Sequence, residues 1–214
     1  MLLFINFKAY RESTGNNAVG IIRGIEKEFE SNPSIILVLN PLDSMIETKL
    51  TKYIQTAEPL NPGPYTGHIP VGLLADYGYS GIMLNHSELR LDLEKIRETV
   101  EMAQKNGFKT LVCAEGLEKI KELIPFGPDF IAYEPPELIG GDISVSTAKP
   151  EIIAEAAGLL DGTRSKFIVG AGIKNRNDVL TSKKLGAEGT LVASGVVKSK
   201  EPIRVVREMM SEVV

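Results

Sequence analysis

Residues 81–115, "GIMLNHSELRLDLEKIRETVEMAQKNGFKTLVCAE", hold one complete strand–helix–strand unit. "GIMLNH" (81–86) and "KTLVCAE" (109–115) are apolar runs of strand length. Between them, residues 92–105 place Leu93, Ile96, Val100 and Ala103 on one helical face. Asp92 has the chemistry of an N-cap, and Asn106–Gly107 that of a stop. Such a unit predicts two parallel neighbours joined by a crossover helix.

The pattern recurs on both sides. Further strand-like runs are "LLFINF" (2–7), "SIILVLN" (34–40), "YIQTAEP" (53–59), "FIAYE" (130–134), "KFIVGAG" (166–172) and "GTLVASG" (189–195). "SIILVLN" is apolar almost throughout, as in a strand covered on both faces. Helical spacing returns at 14–29, where Val19, Ile22, Ile25 and Phe29 align, and at 148–160, 176–185 and 202–212. The segments after strands two, three and five are short, and 59–70, with four prolines and two glycines, reads as a loop. Eight units in 214 residues leave about 27 residues each, near the lower limit for a (β/α)8 barrel, a TIM barrel of the α/β class. A doubly wound open sheet is the alternative. It usually carries G-x-G-x-x-G after strand one, where this chain has "NFKAYREST" (6–14). No linker interrupts the pattern, so one domain over 1–214 is expected.

Composition narrows the function. The net charge of −4 offers no global attraction for nucleic acid or a membrane surface. No run of 18 apolar residues is present, and "MLLFINFKAY" (1–10) reads as a first strand rather than a signal peptide. The one cysteine, Cys113, excludes an internal disulfide and fits a reducing cytoplasm. With only His68 and His86 beside it, no metal cluster is visible and no metal or other cofactor is expected.

In parallel barrels chemistry gathers where the strands end. Here those ends carry Asn6 and Lys8; Asn85, His86, Ser87 and Glu88; Glu134; Gly170, Ala171 and Gly172; and Ala193, Ser194 and Gly195. Singly, each has a plain reading: a solvated lysine, a structural histidine, a loop carboxylate, turn glycines. Together on one rim they suit proton transfer beside the carbonyl of a phosphorylated substrate. A carboxylate takes the carbon-bound proton, Lys8 and His86 stabilise the developing oxyanion, and small-residue turns offer N–H groups to phosphate.

At this point the chain resembles the triosephosphate isomerase family, in particular its shorter archaeal-type branch. The resemblance rests on "INFKAY" (5–10), "NHSE" (85–88), "AYEPPELIGG" (132–141), "GAGI" (170–173) and "LVASG" (191–195), in that order along the whole chain. It implies metal-free interconversion of dihydroxyacetone phosphate and D-glyceraldehyde 3-phosphate, a step of glycolysis and gluconeogenesis. Glu134 would be the base, His86 the electrophile and Lys8 the charge that stabilises the enediolate. Asn6, Phe7, Ile139, Gly140, Gly172, Ala193 and Ser194 would meet the substrate. Glu88 and Ser87 would support them, Glu88 by pairing with Lys8. A lid over about 134–146 would exclude water. The family's interdigitating loop resembles "YTGH" (65–68), with Thr66 at the tip, which implies a homo-oligomer, a dimer or a dimer of dimers. The chain departs from the family's "IGTG" with "IGGD" (139–142), and it has no tryptophan. The other readings are a pentose-phosphate epimerase-like barrel, which would need a metal, and a non-catalytic phosphate-binding barrel.

Overall fold

The alternation of apolar runs and helical faces is realised as eight parallel strands. In the computed structural model, which describes residues 1–135 and 150–211, the strands are β1 (Leu2–Asn6), β2 (Ile35–Leu39), β3 (Thr51–Ile54), β4 (Gly81–Leu84), β5 (Lys109–Ala114), β6 (Phe130–Tyr133), β7 (Lys166–Val169) and β8 (Gly189–Val192). Each pairs with the next, and β8 returns to β1 through Leu3↔Thr190 and Phe4↔Leu191, closing the barrel. This is the (β/α)8 architecture the sequence predicts.

Strand alternation divides the core into two layers. Phe4, Val38, Tyr53, Met83, Leu111, Phe130, Ile168 and Leu191 fill the barrel. The Phe4 ring meets Tyr53 and Phe130 edge-on, at centroid distances of 5.7 and 5.2 Å. Gly81 is required beside them, because a Cβ there would overlap the Tyr53 ring. Residues of the opposite parity, such as Ile5, Leu37 and Val112, pack against the helices.

The described helices are α1 (Asn16–Phe29), α2 (Leu93–Lys105), α3 (Leu117–Leu123), α4 (Pro150–Leu160), α5 (Arg176–Lys184), α6 (Ser194–Val197) and α7 (Pro202–Met210). The Asp92 carboxylate caps α2 by accepting the Lys95 N–H at 2.7 Å, and Gly107 leaves the helix at φ 78°. Ile96, Val100 and Ala103 are fully buried beneath it. Each of the two larger side chains contributes about 1.5–3 kcal/mol of burial. After β2 and β3 the chain forms only 3-10 turns, Pro41–Asp43 and Val71–Tyr77, and α3 after β5 is short. No helix among the described residues is long and apolar enough to cross a membrane.

Two local readings are corrected. The buried face of α1 is Ala18, Ile21, Ile22 and Ile25, whereas Val19 is 36% exposed. Ala18 and Ile21 complete the helical stripe and turn Val19 outward. The third strand starts at Thr51 and ends at Ile54, earlier than the run 53–59. Lys52 hides its start. Its ammonium donates to the Ser44 and Ile46 carbonyls at 3.0 and 3.1 Å and lies over the Tyr79 ring, so the buried charge is solvated by the protein.

Candidate active site

Because all strands run parallel, their carboxyl ends share one rim, and a small cleft of about 60 Å³ opens there. Asn6, Lys8, His86, Glu134, Gly172, Ala193 and Ser194 all line it, with Tyr10, Gly170 and Lys174.

Glu134 directly follows β6, and its N–H donates to Ala114 O at 2.8 Å, which registers it against β5. Its side chain is buried against Gly170, where an added Cβ would stand 2.5 Å from Glu134 Cγ. Glycine at 170 is therefore a condition for the carboxylate's position. Burial pushes the Glu134 carboxyl above its usual range, and the His86 ring, the Cys113 thiol, Lys8 and Arg90 pull it back only in part. Its Oε2 is buried with no hydrogen-bond partner among the described residues. Such an atom in a cleft is placed to accept a proton rather than to stabilise the fold.

His86 Nε2 lies 3.6 Å from Glu134 Oε1. On the other side of the ring, Nδ1 accepts the Glu88 N–H at 3.2 Å, so the ring carries its proton on Nε2, toward the cleft. The turn that aims the ring is set by Asn85, at φ 57°. The Asn85 amide donates to Cys113 O at 2.8 Å and its Oδ1 accepts the Leu91 N–H at 3.0 Å, tying β4 to β5 and to the following loop. Arg90 braces the same turn by donating to Asn85 O at 3.1 Å and Glu115 Oε2 at 2.9 Å.

Lys8 is the third group. Its backbone sits at φ 50°, a conformation that costs a residue with a side chain about 1–3 kcal/mol. Its Nζ donates to Glu88 Oε1 at 2.8 Å; Lys8 is largely shielded and Glu88 largely exposed. Asn6 holds the turn, its Oδ1 accepting the Lys8 N–H at 2.9 Å and Gln55 Nε2 at 3.0 Å.

Gly172 (φ 69°) lies in the turn after β7, and Ala193 and Ser194 lead from β8 into α6. They bring small residues from two separate short turns to the cleft wall, and the β8 turn is the neighbour of the β1 turn that carries Lys8. Ser87 is half-buried and Thr66 is exposed in the loop after β3. Ile139 and Gly140, with the lid over about 134–146 beyond Pro135, lie outside the described residues.

Phe7 stands apart from these residues in where its side chain points. Its side chain is fully buried in the layer between barrel and helices and does not line the cleft. Strand alternation sends Asn6 inward and Phe7 outward. Reading the sequence placed Asn85 at a strand end without giving it a role, and it missed Gln55, Arg90 and the Cys113 thiol beside Glu134. The only signal for Asn85 was its place in "NHSE", and Gln55 gave none beyond being a polar residue at a strand end.

The chain matches the family model described as triosephosphate isomerase over residues 1–209. A triosephosphate isomerase of Thermoplasma volcanium is 44% identical, covering 94% of this chain and 95% of that one. Those of Methanocaldococcus jannaschii and Saccharolobus solfataricus are 38% and 37% identical, each covering 98% of this chain and, respectively, 99% and 95% of theirs. With a match that runs nearly end to end, the chain belongs to the triosephosphate isomerase family.

Proposed function

We propose that this chain is an isomerase that interconverts dihydroxyacetone phosphate and D-glyceraldehyde 3-phosphate by proton transfer through an enediolate, with Glu134, His86 and Lys8 as the catalytic residues. The observation that carries the mechanism is the 3.6 Å approach of a buried carboxylate to an imidazole Nε2, with a lysine on the same cleft. Glu134 takes a proton from C1 of the ketose, and the C1–H electron pair becomes the C1–C2 double bond. The carbonyl oxygen gains charge, which His86 Nε2–H and Lys8 Nζ stabilise. Glu134 returns the proton to C2, and the hydroxyl proton moves between the two oxygens by way of His86. Backbone N–H groups at Gly172, Ala193 and Ser194 suit the phosphate. None of these steps needs a cofactor.

A coupled assay on the purified chain with glyceraldehyde 3-phosphate tests this. Turnover is expected, and it should survive a strong chelator. No turnover overturns the assignment, and turnover abolished by chelation favours a metal-dependent epimerase chemistry.

We also propose a homo-oligomer, a dimer or a dimer of dimers, in which the loop around Thr66 packs against a second copy. Leu42, Met45, Tyr65 and Tyr77, in and around the loops after β2 and β3, expose large apolar side chains, up to 88% at Leu42. Sedimentation equilibrium should return the mass of two or four chains; a single-chain mass overturns this. The cytoplasm, where the lone Cys113 thiol stays reduced and glycolysis and gluconeogenesis run, is the compartment we propose.

A further inference from the structure

We propose that Gln55, with Asn40 behind it, is a positioning residue that holds the Lys8 backbone in its left-handed conformation and so aims the ammonium into the cleft. This rests on the reading of Lys8 as the charge that stabilises the enediolate. A lysine at φ 50° needs outside support to stay there. The support comes from one carboxamide. Gln55 has two N–H donors on Nε2, and it has two main acceptors: Asn6 Oδ1 at 3.0 Å and Lys8 O at 3.1 Å. Asn6 Oδ1 in turn accepts the Lys8 N–H at 2.9 Å. Gln55 therefore spans the turn, holding its carbonyl directly and its amide through Asn6.

Gln55 is itself fixed. Its backbone N–H donates to Leu39 O at 3.1 Å, which ties it to the end of β2. Its Oε1 faces Asn40 Nδ2 at 3.5 Å, and the same Nδ2 reaches Lys8 O at 3.4 Å. The Asn40 amide has a defined orientation because Oδ1 accepts the Leu42 N–H at 3.0 Å, capping the 3-10 turn. The nitrogen is thus left toward Lys8 and Gln55. Neither Gln55 nor Asn40 lines the cleft, so their route to the substrate is through Lys8.

The test is a double-mutant cycle of Gln55→Met and Lys8→Ala, with kcat and KM for glyceraldehyde 3-phosphate and calorimetric affinity for 2-phosphoglycolate, a phosphorylated carboxylate that mimics the enediolate. Gln55→Met keeps the chain length of glutamine and removes both donors. It should lower kcat/KM by about 10–100-fold, as a misaimed catalytic group does. In the Lys8→Ala background it should cost no more than about twofold, because there is no ammonium left to aim. Asn40→Ser keeps a capping oxygen but cannot reach Lys8, and should cost a few-fold with the same dependence on Lys8. If Gln55→Met does not fold, Gln55→Ala removes the same donors without inserting a longer apolar chain and should show the same loss. An undiminished kcat/KM in the folded variant overturns the proposal, as does an equal loss in both backgrounds. Wild-type turnover is measured first. Its absence defeats the functional reading, and the cycle read in 2-phosphoglycolate affinity still decides the positioning role.

Discussion

Glu134→Gln will lower kcat by about 10²–10⁴-fold, the usual contribution of a positioned general base, while leaving 2-phosphoglycolate binding within a few-fold of wild type. Glutamine fills the same buried space against Gly170, but its amide cannot accept a proton from carbon. The acid limb of kcat/KM gives a second reading. Burial raises the Glu134 carboxyl above its usual range, so activity should fall as pH drops through a pKa higher than that of an exposed glutamate. The sign for stability follows from the same shift. Between the unfolded and the folded pKa the native state binds more protons, so wild type loses stability as pH rises through that window. Glutamine has no such loss. The variant's Tm should therefore equal or exceed that of wild type at neutral pH, and any excess should vanish below the usual carboxylate range. Near-wild-type turnover would remove Glu134 as the base. A variant less stable at neutral pH than at low pH, relative to wild type, would contradict the burial account.

The same chemistry explains which parts of the site were legible in the sequence. Lys8, His86 and Glu134 could be found because each follows an apolar run by one or two residues, and a parallel barrel brings all such positions to one rim. Strand ends are encoded locally. Gln55 was hidden because its work is done on partners 47 and 49 positions away, and nothing in "YIQTAE" (53–58) records that its amide is aimed at Lys8 O. Asn85 and Arg90 act on backbone carbonyls, which every residue offers, so no partner type marks them. Phe7 differs from its neighbours in the motif, which face the cleft, because a period of two turns its side chain outward. The third strand was displaced because Lys52 satisfies its charge on two carbonyls that sequence spacing does not reveal. In α1, Ala18 competed for the inner face with the larger Val19, and the continuity of the stripe through Ile21 and Ile25 decided it.

Removing the lysine should affect binding and chemistry together. Lys8→Ala is expected to raise KM and to lower kcat by about 10²–10³-fold, the range for losing one donor to a developing oxyanion. The substrate arrives as an anion at a chain of net charge −4, so a local cation within the cleft matters for capture as well as for the enediolate. Wild-type kcat/KM should consequently fall with added salt more steeply than that of the variant. Stability moves differently. The ion pair with Glu88 is largely exposed on the carboxylate side and contributes little, about 0–1 kcal/mol at most. The larger quantity is backbone strain at φ 50°, which alanine retains and glycine relieves. Lys8→Gly should therefore be more stable than Lys8→Ala by about 1 kcal/mol in denaturant unfolding, although both lack the ammonium and both lose activity to a similar degree. Equal stabilities would show that the turn carries no strain. Unchanged KM and kcat in Lys8→Ala would remove Lys8 from the reaction, and with it the reason for a fold that holds a lysine where glycine is easier.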